Sequence, residues 1–314
     1  MTKRALVTGG AGFIGSHVAE HYLENGYAVT IVDDLSSGRR QNVPAAATFV
    51  EADIRDPAVR RLVADGGFTV VNHHAAQMDV RVSVAEPAKD AGINLLGLLN
   101  VLEGARAGGV RRFVFASSGG VVYGESDALP HPETARKLPV SPYGVSKLGS
   151  EFYLAAYAQM YGLEVCSLRY ANVYGPRQSP HGEAGVVAIF CSRIARGEAL
   201  TVYGDGEQTR DYVYVQDVAR VNVLASEKPV PALETIDDVA FNVGTGTETS
   251  VNALAEALLE VSRGRSQVAH APARKGELAR SAVDPAKSTA LGWRPAVTLR
   301  DGLRTTYDWI AGEA

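Results

Sequence analysis

The sequence predicts an α/β fold in which a doubly wound parallel sheet carries a smaller C-terminal α/β lobe. Six short apolar runs alternate with longer amphipathic segments, and a glycine cluster follows the first run directly. Near-continuous apolar strands separated by helices are typical of parallel sheets that are covered on both faces. The alternation ends near residues 168–176, where glycine and proline cluster. We therefore expect a first domain over 1–172 and a second lobe over 173–314, with part of 208–226 returning to the first domain.

The composition and the charge exclude several classes of protein. Of the 314 residues, 46% are hydrophobic and 21% are charged, which is typical of a globular chain. A net charge of −4 argues against an extended surface for nucleic acid or anionic membranes. Three arginine pairs are separate in the sequence, and we interpret them as solvated: Arg39–Arg40, Arg60–Arg61 and Arg111–Arg112.

The cysteine count and the hydropathy pattern predict a cytoplasmic protein. Cys166 and Cys191 are too few for a disulfide framework and lack a C-x-x-C spacing, so packed thiols are expected. No apolar run reaches the roughly 18 residues that a membrane span needs. The basic start "MTKRALVTGG" runs into glycines without a cleavage site, so we interpret it as part of the mature protein.

The first run, "RALVTG", leads into a glycine cluster that predicts a phosphate-binding turn. Gly9, Gly12 and Gly15 lie between this strand and the opening of the helical stretch "FIGSHVAEHYLENG". In dinucleotide-binding turns, such glycines allow a tight turn and a close approach of the backbone to a pyrophosphate, which the helix N-terminus attracts. A glycine triplet alone is weak evidence, so the prediction depends on the segments that follow.

The next two runs supply carboxylates at the ends of strands. "YAVTIVDD" contains Asp33, which stands 18 positions after Gly15, near the spacing of about 20 expected for a carboxylate that accepts the adenosine ribose hydroxyls. A carboxylate there repels a 2′-phosphate and favours NAD, although the two arginines that follow leave NADP open as the alternative. "EADIRD" places Asp53 and Ile54 at the end of the third run, where we expect the adenine.

Two pairs of histidines are interpreted without a metal. His17 and His21 stand four positions apart on the first helix, but no third ligand is evident, so we interpret both as surface residues. His73 and His74 close the fourth run, "FTVVNHHAA", and we expect them to line a cofactor cleft.

The stretch "LPVSPYGVSKLGSE" predicts a helix that carries acid–base chemistry. Ser141 suits an N-cap and Pro142 suits the first helical position, so Tyr143 falls in the first turn. Lys147 follows one turn later on the same face. An ammonium close to a phenol favours the phenolate, which is then a usable general base. A lone Y-x-x-x-K pair also fits an exposed helix face, so its neighbours in sequence decide the interpretation.

The chain resembles the extended short-chain dehydrogenase/reductases, in particular their UDP-hexose 4-epimerases. The resemblance is carried by four features in order along the sequence: the glycine turn, the strand-end acid, a strand-end serine and Y-x-x-x-K. The serine comes from the fifth run, "FVFASS", which ends in Ser117 and Ser118. The resemblance covers nearly the whole chain and implies a Rossmann-type NAD-binding domain. In that family, the serine and the tyrosine touch the sugar 4-hydroxyl and the lysine holds the nicotinamide ribose. The implied catalytic residues are Ser118, Tyr143 and Lys147, with Ser117 as the alternative serine.

The resemblance also implies both binding sites and the assembly. The NAD site is expected to comprise Gly9, Gly12, Phe13, Ile14, Gly15, Asp33, Asp34, Ser37, Gly38, Asp53, Ile54, His74, Ala75, Ala76, Asn94, Ser117, Tyr143, Lys147, Tyr170 and Val173. The UDP-sugar site is expected to comprise Ser118, Tyr143, Asn172, Val187, Tyr203, Arg210, Arg274, Glu277 and Ser281. Arginines in such a site suit a diphosphate, a tyrosine ring suits stacking on uracil, and a carboxylate suits ribose hydroxyls. The family is commonly dimeric, which implies a homodimer through the helices around 90–107 and 143–161.

The loop after the fifth run favours epimerisation over elimination. The resemblance implies an Asp–Glu pair there in nucleotide-sugar 4,6-dehydratases and a glutamate in UDP-glucuronate decarboxylases, whereas this chain has Gly119 and Gly120. We therefore expect a NAD-dependent 4-epimerase of UDP-glucose and UDP-galactose that works through a transient 4-keto sugar. The small Ser281 is expected to leave room for the N-acetylhexosamine pair. The alternatives are a UDP-glucuronate 4-epimerase, another nucleotide-sugar dehydratase or decarboxylase, and a non-catalytic NAD-binding regulator.

Overall fold

A seven-stranded parallel sheet forms the centre of the computed structural model, which describes residues 3–126, 128–180, 185–264, 266–273 and 278–313. Its strands are β1 (Arg4–Thr8), β2 (Ala28–Asp33), β3 (Thr48–Glu51), β4 (Val70–His73), β5 (Arg112–Ser118), β6 (Glu164–Tyr170) and β11 (Ala240–Val243). They lie in the order β11-β6-β5-β4-β1-β2-β3, and all neighbours run parallel. All six predicted strands are present, and the prediction of a doubly wound α/β fold is confirmed.

Helices cover both faces of this sheet. They are α1 (Phe13–Glu24), α2 (Pro57–Asp65), α3 (Val80–Ala85), α4 (Pro87–Ala91), α5 (Leu98–Ala107), α6 (Gly119–Val122), α7 (Pro142–Tyr161) and α9 (Val215–Glu227), with a π-helical turn at Gly92–Gly97 between α4 and α5. Successive strand residues point to opposite faces, so Leu6 packs in the cluster under α2 and α5 while Val7 packs in the cluster under α1 and α9. The strand order reverses between β1 and β4, and open sheets bind ligands in the crevice beyond the strand ends at such a point.

The second lobe is built from shorter elements. They are β7 (Asn172–Tyr174), α8 (Val186–Ala195), β8 (Leu200–Tyr203), β9 (Thr209–Arg210), β10 (Tyr212–Tyr214), β12 (Thr249–Ser250), α10 (Val251–Ser262), β13 (Val268–Ala271) and α12 (Leu299–Glu313). The short helix α11 (Ala286–Ala290) packs on β11 of the central sheet instead. The strands pair as β7 with β10, β8 with β13 and β9 with β12. Apolar residues of α8, α10 and α12 pack on β8 and β10 to form a core separate from the cores of the central sheet.

The chain returns to the first domain after β10. Helix α9 packs against α1 through Val223 and Ala219. Strand β11 then pairs with β6 and extends the central sheet. The stretch 208–226 is therefore divided, because β9 and β10 pair within the second lobe while α9 covers the first domain.

Two sequence interpretations concern burial in the fold. Cys166 and Cys191 are buried free thiols, as predicted. The interpretation of the arginine pairs as solvated is wrong for Arg112, which is buried and donates a 2.8 Å hydrogen bond to Glu164 Oε2. Its guanidinium also donates to the carbonyl of Ala225 in α9, so it joins the end of that helix to the sheet.

Within the described ranges, no helix combines the length and the apolar character required to cross a membrane. The same part of the chain contains no group of three or more His, Cys, Asp or Glu side chains placed to hold a metal ion.

Candidate active site

The glycine turn forms a backbone cradle at the start of α1. Gly9 has a φ of +68°, and a Cβ there would lie 2.6 Å from the backbone nitrogen of Ala75. Gly12 is the N-cap of α1 and no side chain caps this end. A Cβ on Gly15 would overlap the Gly9 carbonyl, so the helix can only pack this closely on the turn with glycine at that position. A helix N-terminus with an open backbone surface suits the diphosphate of a dinucleotide.

Asp33 lies directly beside this cradle. Its Oδ2 accepts a 2.9 Å hydrogen bond from Ala11 N and its Oδ1 accepts a 2.8 Å bond from Leu35 N. Burial raises the pKa of Asp33, although these backbone donors oppose the shift. Gly38 is close enough that a Cβ would lie 2.8 Å from Asp33 Oδ1. The carboxylate therefore holds the glycine turn in place, which the sequence did not reveal.

Four further residues that we expect in the NAD site, near the ends of β2 and β3, differ in solvent exposure. Asp34 and Ser37 are exposed, and Asp34 Oδ1 accepts a 2.9 Å hydrogen bond from the backbone nitrogen of Ser36. Asp53 accepts two 3.0 Å hydrogen bonds from Arg55 Nε, and this arginine lowers the pKa of its carboxyl. Ile54 is buried in the core under α2 and α5.

The two histidines at the end of β4 are held in the neutral form by their surroundings. His73 is buried and its Nδ1 lies 2.9 Å from Thr8 Oγ1. His74 stacks on the ring of Tyr170 with the centroids 6.2 Å apart. Burial, with Lys147 nearby, lowers the pKa of both histidines to about 3. Tyr170 is itself oriented by Asn222, whose Nδ2 donates to Tyr170 Oη at 2.8 Å.

His17 does not lie on the surface, and that interpretation is wrong. Its side chain is only 3% exposed. His17 Nε2 lies 3.0 Å from the carbonyl oxygen of Pro176, and Nδ1 lies 3.0 Å from Gln216 Nε2. Close by, Arg177 donates a 2.6 Å hydrogen bond to Glu20 Oε1. These contacts join α1 to the loop that leads into the second lobe, which explains why the histidine is buried.

Helix α7 presents Tyr143 and Lys147 to the same crevice edge. The helix begins as predicted, with Ser141 Oγ accepting a 3.2 Å hydrogen bond from Gly144 N. Lys147 is 4% exposed, and its Nζ donates a 2.8 Å hydrogen bond to the carbonyl oxygen of Ala116. The ammonium lies 5.7 Å from the centroid of the half-buried Tyr143 ring. Burial lowers the pKa of Lys147 to about 8.

The two serines at the end of β5 have different surroundings. Ser117 is buried and donates a 2.5 Å hydrogen bond to Glu151 Oε1. Ser118 is half-buried at the last position of the strand. A Cβ on Gly120 would lie 3.8 Å from Ser118 Oγ and 3.9 Å from Asn172 Oδ1. The Ser118 hydroxyl and the Asn172 amide thus border one small space, whereas the Ser117 hydroxyl is engaged inside the fold.

The residues of the second lobe that we expect to bind the UDP-sugar differ in solvent exposure. Val187 is buried, while Tyr203 and Arg210 are half-buried. Ser281 is buried, and its backbone nitrogen donates to the carbonyl of Thr209 at 3.2 Å. Arg274 and Glu277 lie outside the described residues.

A buried charge network behind the site was not predicted. Glu151 pairs with Arg169, whose Nη2 donates a 2.6 Å hydrogen bond to Glu151 Oε2. The same guanidinium donates to Tyr123 Oη at 3.1 Å. A signal was present in the sequence, because Glu151 stands four positions after Lys147 and so falls on the same face of α7.

Asn94, expected in the cofactor site, is part of a second internal network. Its Oδ1 accepts a 2.9 Å hydrogen bond from Gln77 N, and its Nδ2 donates to Gln77 O and to Asp90 Oδ1, both at 2.9 Å. Asn94 therefore holds the backbone of Gln77, which directly follows Ala75 and Ala76 in the loop after β4. Asp90 was not predicted, and no motif in the sequence indicated it.

Comparisons with known proteins agree on one family. Residues 5–244 match the model of the NAD dependent epimerase/dehydratase family. A UDP-glucose 4-epimerase of Mycolicibacterium smegmatis is 42% identical over 317 aligned positions, covering 99% of both chains. The crystal structure of the UDP-glucose 4-epimerase of Thermotoga maritima with UDP-glucose is 47% identical, with a TM-score of 0.94 and 99% of each chain covered. A UDP-N-acetylglucosamine 4-epimerase of Methanobrevibacter ruminantium in complex with UDP-N-acetylmuramic acid is 32% identical, with a TM-score of 0.91, covering 100% of this chain and 99% of that one.

Proposed function

The chain belongs to the NAD dependent epimerase/dehydratase family, and on this premise we propose that it interconverts UDP-glucose and UDP-galactose by inverting sugar carbon 4. The observation that carries the proposal is the pairing of Tyr143 with the buried Lys147, whose ammonium bonds the Ala116 carbonyl near the end of the strand that carries Ser118. Relatives named UDP-glucose 4-epimerase align over almost the full length of the chain, which supports the same activity here.

The site residues fit a bound NAD. The cradle of Gly9, Gly12 and Gly15 presents backbone where a side chain would intrude, and Asp33 stands beside it. Lys147 has an ammonium with one hydrogen bond to a backbone carbonyl, so further N–H donors are available for ribose hydroxyls. When bound there, NAD supplies a reversible hydride acceptor for sugar carbon 4.

Tyr143 is the proposed general base, and Ser118 orients the reacting hydroxyl. The Lys147 ammonium, 5.7 Å from the tyrosine ring, stabilises a phenolate relative to a phenol. The phenolate removes the proton of the sugar 4-hydroxyl, and the resulting phenol returns a proton when the 4-keto group is reduced. Ser118 Oγ donates a hydrogen bond to the same sugar oxygen in both directions. Return of hydride to the opposite face of the sugar inverts carbon 4.

The residues after Ser118 favour epimerisation over dehydration. Gly119 packs so closely that a Cβ would lie 2.6 Å from Val283 Cγ1, so an acidic side chain does not fit there without displacement. Gly120 has no side chain to supply as an acid or base. Elimination at sugar carbon 6 needs such groups, so the 4-keto sugar is reduced again instead.

We also propose that the enzyme accepts UDP-N-acetylhexosamines. The serine at position 281 is small, and it follows the segment that we expect to contact the nucleotide sugar. A similar chain of Methanobrevibacter ruminantium is named a UDP-N-acetylglucosamine 4-epimerase, which supports this breadth in the family.

The exposed face of α7 supports a homodimer. Phe152 is 57% exposed and Met160 is 60% exposed on this helix, and Leu96 of the neighbouring π-helical turn is 64% exposed. Large apolar side chains grouped on adjacent helices are typical of a protein interface. We expect Phe152→Glu to convert a dimer to a monomer in sedimentation velocity, whereas Val268→Glu, at an exposed position of β13, leaves the dimer intact. A monomeric unaltered protein would refute the dimer.

The two buried free thiols suit a reducing compartment, so we propose that the enzyme acts in the cytoplasm.

The direct test is conversion of UDP-galactose to UDP-glucose by the purified protein. We expect turnover without added NAD, because an epimerase regenerates its cofactor in every cycle. Chromatography of the nucleotide sugars separates the epimer from a 4-keto-6-deoxy product, which would indicate a dehydratase. UDP-glucuronate is offered in parallel: its 4-epimer would indicate a uronate epimerase, and a UDP-pentose, formed with loss of the carboxyl group as CO2, would indicate a decarboxylase. Binding of NAD without turnover of any of these substrates would favour a non-catalytic regulator.

A further inference from the structure

Asp90 is a fully buried carboxylate behind the proposed catalytic helix. It lies in α4, is 0% exposed, and contacts three polar side chains. Its Oδ2 accepts a 2.6 Å hydrogen bond from Ser146 Oγ, and its Oδ1 accepts 2.9 Å bonds from Gln77 Nε2 and Asn94 Nδ2. All three donors are neutral. The carboxylate is therefore well solvated by the protein, but these bonds leave its charge uncompensated.

A buried charge is costly unless an opposite charge lies close by. Among the described residues, no lysine or arginine forms a salt bridge with Asp90. Helix α7, which Asp90 contacts through Ser146, carries a buried cation, because Lys147 follows Ser146 directly. Burial lowers the pKa of Lys147, and the charges of Asp90 and then Glu151 oppose that shift. The two buried opposite charges therefore act on each other.

The other groups that face Lys147 do not replace Asp90. Glu151, one turn further along α7, already pairs with Arg169 at 2.6 Å, so much of its charge is neutralised. His73 and His74 face the ammonium from β4 and are neutral, since burial lowers their pKa to about 3. Tyr143 lies on the same helix and is the proposed base that the ammonium serves, so it is not the counter-charge of Lys147. Asp90 is thus the carboxylate near Lys147 without an arginine partner among the described residues.

We propose that Asp90 is a positioning residue that acts through Lys147, as the counter-charge that keeps its ammonium protonated. The inference rests on the proposed function, because a protonated Lys147 is what makes Tyr143 a base. Asp90 also accepts hydrogen bonds from Gln77, in the loop after β4, and from Asn94. The same buried carboxylate therefore contacts both this loop, where we expect the cofactor, and the proposed catalytic helix. The predicted consequence is a lower pKa for Lys147 whenever the Asp90 charge is removed or neutralised.

The test is an NMR titration of the full-length protein labelled with 13C at lysine Cε. Lys147 is assigned by the signal that Lys147→Arg removes. In Asp90→Asn, which keeps the shape and removes the charge, we expect the Lys147 midpoint to fall by about one pH unit or more. Lys287 is the internal reference, because it is half-buried and its Nζ donates to backbone carbonyls that include Ala240 O, at 2.8 Å, in another part of the fold. Its midpoint should not move.

Two further variants control for packing. Ser146→Ala removes a hydrogen bond to Asp90 but keeps both charges, so the Lys147 midpoint should stay close to that of the unaltered protein. Gln77→Arg places a competing cation on Asp90 Oδ1 while the carboxylate stays, so the midpoint should fall even if Asp90→Asn does not fold. An unchanged Lys147 midpoint in a folded Asp90→Asn or Gln77→Arg protein would overturn the proposal.

Turnover separates this inference from the proposed function. In Asp90→Asn, we expect the alkaline limb of the kcat profile to move to lower pH with the Lys147 midpoint, while the Ser146→Ala profile keeps its position. A titration shift in a protein that does not epimerise UDP-galactose would refute the function and leave the charge coupling intact. An active protein whose Lys147 midpoint ignores Asp90 would refute the coupling alone.

Discussion

Ser117 Oγ donates a 2.5 Å hydrogen bond to the buried carboxylate of Glu151, so the first of two consecutive serines is engaged in the interior. Ser118, the next residue, is half-buried at the end of β5 and borders the space near Asn172. We expect Ser118→Ala to lower kcat by about 10²-fold, because a donor to the reacting oxygen is lost. Ser117→Ala should keep most of the turnover and lower the melting temperature, because Glu151 loses a buried donor. The reverse pattern in steady-state assays and thermal unfolding would assign the catalytic role to Ser117.

Tyr143→Phe should remove nearly all turnover and leave NAD binding intact. The change deletes the oxygen that moves the proton and keeps the ring, and general acid–base groups contribute about 10²- to 10⁴-fold. Tyr153→Phe makes the same change on an exposed ring of the same helix and should not affect the rate. The measurement is kcat with UDP-galactose, together with NAD released on denaturation. More than half of the normal rate in Tyr143→Phe would exclude the tyrosine as the base.

Asp33→Asn should weaken the preference for NAD over NADP by about tenfold or more, which corresponds to 1.4 kcal/mol of discrimination. The carboxylate repels a 2′-phosphate, and the amide does not. Because Asp33 also accepts hydrogen bonds from Ala11 N and Leu35 N, we expect a lower melting temperature as well. Asp65→Asn changes an exposed carboxylate at the end of α2, outside the expected NAD site, and should leave both properties unchanged. The measurement is binding of NADH and NADPH by fluorescence, and equal affinities in the unaltered protein would contradict the prediction.

The buried His73 predicts a loss of stability in acid. Burial lowers its folded-state pKa to about 3 from the ordinary 6.5, so between these values the unfolded chain binds a proton that the folded protein does not. Stability therefore falls as the pH drops below 6.5, by about 1.4 kcal/mol per pH unit for this group. In His73→Asn, the fall in melting temperature between pH 7 and pH 5 should be smaller than in the unaltered protein. His270→Asn, at an exposed ring, should retain the full fall. An equal fall in all three proteins would show that His73 does not contribute.

Ser281→Tyr should reduce epimerisation of UDP-N-acetylglucosamine by about tenfold or more relative to UDP-glucose. A bulky ring would crowd the substituent on sugar carbon 2, while a hydroxyl at that carbon still fits. Ser281→Ala keeps the side chain small and should preserve both activities. The measurement is kcat/KM for the two substrates. Equal losses on both, or no turnover of UDP-N-acetylglucosamine by the unaltered protein, would remove Ser281 from the specificity argument.

Local patterns predicted the elements well because they depend on neighbouring residues. The apolar runs became β1 to β6, and Ser141 with Pro142 begins α7 as the capping rules require. The spacing of Tyr143 and Lys147 places both on one face of α7 by helix geometry alone. His17 shows the limit of such patterns, because its burial depends on Pro176 and Gln216, which are distant in sequence.

By itself, the sequence determined the fold class, the position of the glycine turn and the family resemblance, because each depends on residue order over short spans. Tertiary structure alone decided that Ser117 bonds Glu151 and leaves Ser118 at the crevice, because this depends on how β5 and α7 pack. It also placed the buried Asp90 against the helix that carries Lys147, through contacts with Gln77 and Ser146. Burial and electrostatic coupling arise between segments that are far apart in the chain, so no local pattern of residues could predict them.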